Sequence, residues 1–288
     1  ERRDHPVRAR SKRVPQVEGE RTQAIAARTK GEEMHRASVI ALVLRAWLTS
    51  GTAAGDQEEG AAREPDPRAI LNRMATHLAG LPAFVVTQLV AYDVVQPDGR
   101  TLEFGETRRV AVRRPDRARI DEEQRDGSLR GFRFDGRQIA VFDLDENVYA
   151  AVPKRGSLDA AIDYFLDDLG MRLPLAELLS TDLPKVVERD LRDVTLVDAA
   201  VLNGVPCHHL TARADSADLQ VWVEQGKAPL PRRVVITYKA EPGRPQFRAD
   251  LTGWDLSPDL PDDFFEFEMA EGAERIPVSA PATPGPGR

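Results

Sequence analysis

One cysteine among 288 residues, Cys207, cannot close an internal disulfide, so thiol content leaves the redox compartment open. Serine nucleophile elbows, glycine-rich phosphate loops and paired CxxC motifs are absent. Their absence removes the common signatures of acyl transfer, nucleotide binding and zinc or dithiol chemistry. No Asp-x-Asp-x-Asp-Gly loop is present to ligate calcium. No apolar run reaches the ~20 residues that a membrane-crossing helix needs. There is no internal repeat of fixed period. What the chain has instead is period-2 alternation and regular turn punctuation.

The formal charge of −7 is unevenly placed: residues 1–54 carry 11 Lys/Arg against 6 Asp/Glu, a net of +5 that leaves −12 for the remainder. An acidic remainder argues against a general nucleic-acid surface, because phosphate contacts need a basic face. Met34-His35-Arg36, the apolar stretches 39–44 and 46–48, and the small residues 50–54 read as a secretory signal peptide over 34–54, although Arg45 interrupts its apolar part. On that reading 1–33 is upstream sequence, 55–65 a linker, 66–277 a single domain and 278–288 a disordered tail. No cysteine stands near the cleavage site for lipid attachment. An exported, periplasmic monomer that does not span a membrane is expected.

Asp66-Pro67 supplies an N-cap and a first-turn proline, and Ile70, Leu71, Met74 and Leu78 form one stripe ended by Gly80. This predicts an amphipathic helix that must bury its stripe. Six strands follow, at 84–95, 100–113, 117–124, 128–134, 137–143 and 147–152, separated by short Pro, Gly, Asp and Asn turns. Turns this short exclude parallel crossovers. For about forty residues the β pattern then stops. Ser157 caps a helix whose stripe is Leu158, Ile162, Phe165, Leu166 and Leu169, with shorter helical turns expected from Pro174 and Pro184.

The stretch 194–238 carries the sharpest strand signals. Asn203-Gly204 is the turn of a two-residue hairpin, because both central residues need positive φ. Leu219, Val221 and Val223 then alternate with Asp218, Gln220 and Glu224, leaving Trp222 the lone aromatic on the polar face. Strands are expected at 193–202, 205–213, 217–224, 232–239 and 246–256, making eleven in all, with a further short run at 264–268. An antiparallel sheet of that size tends to curl or close. Its apolar residues would line a container or fill a core, and both remain open.

Two clusters invite chemistry. Cys207-His208-His209 holds the residue types of a nucleophilic dyad or a zinc site. On a strand, however, Cys207 and His208 point to opposite faces, and Cys207 and His209 stand ~6–7 Å apart at the backbone. A buried structural thiol is the simpler reading. Asp159, Asp163 and Asp167 recur every four residues and read as a solvated helix face. Neither catalysis, a metal site nor a cofactor is expected.

The order signal peptide, helix, six strands, helical insertion, then N-G-V-P-C-H-H-L, L-Q-V-W-V-E-Q-G-x-x-P-L-P-R-R-V-V-I-T-Y and D-D-F-F-E-F-E-M-A-E-G-A-E-R-I resembles an uncharacterised family of predicted periplasmic bacterial proteins. That family is similar to the LolA/LolB/LppX superfamily of lipoprotein and lipid carriers. The resemblance implies a mainly β fold, an unclosed barrel of about eleven antiparallel strands with helices 67–79 and 158–179 as its lid. It also implies a hydrophobic cavity for a lipid, an acyl chain or a lipoprotein. Candidate cavity or lid residues are Leu71, Met74, Phe132, Phe134, Phe142, Tyr149, Ile162, Phe165, Leu166, Leu169 and Trp222. The alternative is a cell-envelope interaction or sensor protein that recognises a protein partner.

Overall fold

The computed structural model describes residues 65–168, 174–268 and 271–277. The upstream segment 1–33, the signal peptide 34–54, all but the last residue of the linker 55–65, and the tail 278–288 lie outside the described residues.

The first helix, α1 (Pro67–Gly80), starts where Asp66 accepts a hydrogen bond from the Arg68 amide at 3.0 Å and Pro67 takes a position that needs no N–H. Ile70, Leu71, Met74, Ala75 and Leu78 are its buried stripe. Six strands follow: β1 (Ala83–Val95), β2 (Thr101–Arg113), β3 (Arg117–Gln124), β4 (Leu129–Phe134), β5 (Gln138–Asp143) and β6 (Val148–Pro153). The helical insertion comprises α2 (Leu158–Asp163), one turn of π-helix (Tyr164–Asp168), a 3₁₀ turn (Ala176–Leu179) and α3 (Leu183–Asp190). The second series is β7 (Arg192–Leu202), β8 (Val205–Arg213), β9 (Ala217–Glu224), β10 (Pro231–Tyr238), β11 (Gln246–Asp255) and the two-residue β12 (Glu274–Arg275).

All twelve strands form one sheet in the order β12-β6-β5-β4-β3-β2-β1-β11-β10-β9-β8-β7. Pairing is antiparallel throughout except between β12 and β6. β7 stands at one end of the order and β12 at the other, so the sheet is not closed. Each half is a meander, and the pairing of β1 with β11 joins them. This is a mainly β protein with an unclosed barrel-like sheet and a helical cover.

Because side chains alternate along each strand, the sheet has two faces. The inner face buries Phe84, Val110, Phe134, Val223, Phe247 and Leu251 together with Leu71 and Met74 of α1, Ile162 of α2 and Val187 of α3. Apolar burial of this extent, at about 1.5–3 kcal/mol per large side chain, explains why helices that short persist. A smaller cluster lies on the outer face, where Leu260 and Phe265 of the C-terminal segment cover Val85 and Ala111. Arg113 holds that segment by donating to the Leu260 carbonyl at 2.6 Å and to Asp262.

The expected strands appear within two residues of their predicted ends. The run at 264–268 differs. Asp263–Phe265 is a 3₁₀ turn, because Phe265 turns inward onto the outer face of β1 and β2 instead of pairing with an edge.

Candidate binding cavity

Strand register arranges the inner face of the first half in rows. Phe84, Val112, Ala118, Phe134, Ile139 and Val152 stand side by side across β1 to β6. The next row is Val86, Val110, Ile120, Phe132, Val141 and Ala150. Both rows are apolar. The third is not: Gln88, Arg108, Glu122, Arg130 and Asp143 succeed one another on β1 to β5.

A cavity of about 250 Å³ lies over the second and third rows. Val110, Ile120, Phe132 and Val141 form its apolar floor, and Gln88, Arg108, Glu122 and Arg130 its polar end. Leu158, Ala161, Ile162 and Phe165 close it from α2 and the π turn, and Leu175, Ala176 and Leu179 from the 3₁₀ turn. The Phe132 and Phe165 rings pack at 5.7 Å between centroids, joining floor to roof. Leu175 is buried with φ 70°, a left-handed conformation that costs a leucine about 1–2 kcal/mol and that packing into the cavity wall sustains.

The roof is pinned by two polar side chains. Arg114 donates to the carbonyls of Leu78, Leu81 and Leu179 at 3.4, 3.1 and 2.5 Å, satisfying the C-terminal ends of α1 and the 3₁₀ turn. Burial lowers its pKa from the ordinary arginine value, and the Asp159 charge opposes that shift. Asp159 accepts from Ser180 Oγ at 2.6 Å, the Thr181 amide at 2.8 Å and Thr181 Oγ1 at 2.6 Å. The solvated-face reading therefore fails for Asp159, because α2 packs back against residues 180–181, and it stands for exposed Asp163. The Asp167 side chain lies outside the described residues.

Within the polar row the charges are mutually engaged. Arg108 Nε lies 2.5 Å from Glu106 Oε1 and 3.1 Å from Glu122 Oε1, and Gln124 donates to Glu106 at 2.7 Å. Arg130 donates to Asp143 at 2.8 Å. Desolvation raises the pKa of Glu122, and the charges of Arg108, Glu106 and Arg130 modify that shift.

The proposed site residues divide. Phe132, Ile162 and Phe165 line the cavity, and Leu71, Met74 and Phe134 belong to the adjoining core. Phe142 borders the cavity, but its ring lies over Gly131 and stacks on Phe267 at 5.4 Å on the outer face. Tyr149 packs on the same Phe267 at 5.5 Å, and with Phe142 lines an outer groove of about 260 Å³. Trp222 is also outside, because Val221 and Val223 take the inner positions of β9. Its indole stacks on His209 at 4.0 Å and 7°. The Leu166 side chain and Leu169 lie outside the described residues. Cys207 is buried, with Sγ 3.4 Å from the Val205 carbonyl, and desolvation raises its pKa, which keeps it a thiol. Sequence reasoning missed the polar row. Its one local signal was Gln88, a polar residue on the side of β1 that otherwise carries Phe84, Val86 and Val90.

Residues 68–279 match the model of a family described as predicted periplasmic protein, DUF2092. The chain belongs to this family. Comparison with curated protein sequences gives no match. Among solved structures, the chain is similar to the lipoprotein LppX of Mycobacterium tuberculosis, with 16% identity, TM-score 0.44, and coverage of 68% of this chain and 98% of the other. A LolA superfamily protein from Nitrosomonas europaea gives 14% identity, TM-score 0.35, and coverage of 70% and 97%. MucB in the Pseudomonas aeruginosa MucA/MucB complex gives 16% identity, TM-score 0.39, and coverage of 71% and 62%.

Proposed function

We propose that the protein is a periplasmic binder or carrier of a hydrophobic ligand, a lipid or an acyl chain, held between the helical roof and the inner face of the sheet. The observation that carries this reading is the cavity of about 250 Å³ where the helical roof meets the apolar floor, bounded by Phe132, Val141, Ile162 and Phe165. The family description supports the periplasmic location. No catalysis is assigned: buried Cys207 is a poor nucleophile, and His209 is occupied by Gln220 and Trp222. Native mass spectrometry of the purified protein, followed by solvent extraction, tests the reading. A co-purifying lipid supports it, and a ligand-free protein that also takes up no amphiphile in solution refutes it.

A second reading, recognition of an envelope protein, draws on a different surface. Val197 and Val201 of edge strand β7 are 52% and 68% exposed, and an extended segment could add to that edge. Pull-down with the β7 valines changed to lysine separates the two, since only a protein partner would be lost.

A further inference from the structure

Val94, Leu102 and Phe104 are 37%, 43% and 44% exposed, and they share one face of the hairpin formed by β1 and β2. β11 stops pairing with β1 at Tyr92 and β3 stops pairing with β2 at Glu106, so beyond those residues the two strands pair only with each other, as far as Val95 and Thr101. The hairpin thus projects past the sheet. A lone pair of strands is marginal in water unless a face of it is covered. The outer face is covered: Arg248 donates to Asp93 at 2.9 Å, Arg125 donates to Glu103 at 3.0 Å, and Gly243 lies against Val95. On the inner face the Phe104 ring stacks on Tyr92 at 6.1 Å, and beyond it the apolar side chains face solvent.

Three features select what covers that face. Size is the first: at about 200 Å² for a bare side chain of this size, the three expose roughly 250 Å², against the ~800 Å² that each member of a stable protein pair buries. A second copy of the chain would need far more. Charge is the second. The cations of the hairpin and its flanks, Arg100, Arg125 and Arg248, are each paired with a carboxylate, and the sequence after residue 54 carries a net −12. Nothing there is spare to attract anionic headgroups. Position is the third: the bare face continues the inner face that carries the cavity, with Glu106 and Arg108 between them.

We propose that this hairpin docks the protein reversibly on a zwitterionic lipid surface, with Val94, Leu102 and Phe104 entering the boundary between headgroups and acyl chains. An apolar area this small gives binding on the order of 10³ M⁻¹ in lipid, weaker than one myristoyl chain. The protein leaves as readily as it arrives, and the face turned to the lipid is the one that carries the cavity.

Leu102→Cys carrying an environment-sensitive naphthalene dye, in the folded full chain, tests this, since buried Cys207 takes no label. Phosphatidylcholine vesicles are expected to shift its emission to the blue, with half the change at about millimolar lipid. The same dye at Leu89→Cys, exposed on the opposite face of β1, should not shift. Adding Phe104→Ser to the labelled protein should raise the lipid required at least about tenfold. Replacing part of the lipid with anionic phosphatidylglycerol should not lower it. No shift at position 102, an equal shift at position 89, an unchanged titration with Phe104→Ser, or tighter binding with phosphatidylglycerol overturns the proposal. So does a blue shift at position 102 that grows with protein concentration in the absence of vesicles, which would assign the face to a second copy.

Discussion

Asp159 Oδ2 accepts a hydrogen bond from Thr181 Oγ1 at 2.6 Å across 22 residues of sequence, fastening α2 to the segment that leads into α3. Ser180 Oγ and the Thr181 amide donate to the other oxygen. The cavity roof is therefore held by a carboxylate on a helix too short to persist alone.

Asp159→Ala should cost roughly 1–3 kcal/mol in urea unfolding, the range for unpairing a charge-assisted hydrogen-bonded group. Asp163→Ala, at an exposed position on the same helix, should change the midpoint little. Burial alone would raise the Asp159 pKa, but the hydrogen bonds from Ser180 and Thr181 and the Arg114 charge outweigh it and leave the value lowered. A lowered folded-state pKa stabilises above the unfolded value of ~3.9 and is lost as pH falls through the folded one. The Asp159→Asn penalty measured at neutral pH should thus shrink in acid below about pH 4.

Arg114→Leu removes three donors from the ends of α1 and the 3₁₀ turn and leaves Asp159 without a facing cation. A loss of about 2–4 kcal/mol is expected, read from the denaturant midpoint. A wild-type midpoint would show that water replaces the guanidinium freely.

Glu122 should behave in the opposite sense to Asp159. Its raised pKa means that the folded protein binds the proton more tightly than the unfolded chain, so its ionisation lowers stability as pH rises through the folded value. Glu122→Gln should flatten that decline and leave the protein at least as stable as the parent at neutral pH, because Arg108 keeps Glu106. Thermal melts of both proteins across the pH range would show it. A parallel pair of curves would rule it out.

Gly131 admits the Phe142 ring, since a Cβ there would meet Cζ at 2.3 Å. The ring is held on one side by Phe267 at 5.4 Å and approached by Arg133 at 5.0 Å, so it has little room to yield. Gly131→Ala should cost about 1–3 kcal/mol, the usual penalty of overpacking. Chemical denaturation measures it, and a neutral result would mean that the C-terminal segment moves aside.

Trp222 and Val141 separate the two faces functionally. Val141→Phe projects a ring toward the cavity and should weaken uptake of a hydrophobic ligand at least tenfold, whereas Trp222→Ala, on the far side of β9, should leave it within about twofold. Equal loss in both would place the ligand elsewhere.

The strands were legible because their signals are local. Asn203 and Gly204 adopt φ 50° and 81°, as a two-residue hairpin between β7 and β8 demands. The alternation of β9 likewise put Trp222 opposite Val221 and Val223. Which of those faces turns inward is a tertiary fact that no alternation encodes, and Phe142, Tyr149 and Trp222 all turned out to face away. The polar row is invisible for a related reason: Arg108, Glu122 and Arg130 become neighbours only through the register of two successive hairpins. Asp159 misled because helical spacing reveals a shared face but not what returns to cover it.

The seam between β1 and β11 joins residues as far apart as Thr87 and Thr252, whose hydrogen bond spans 165 positions. Contacts that distant form late, because the entropy of closing so long a loop must be met before they stabilise anything. The two meanders can each assemble from neighbours in sequence, but the sheet that joins them requires nearly the whole domain to be present. A chain ending before β11 would therefore keep two separate meanders, each with a bare edge strand where the seam should be.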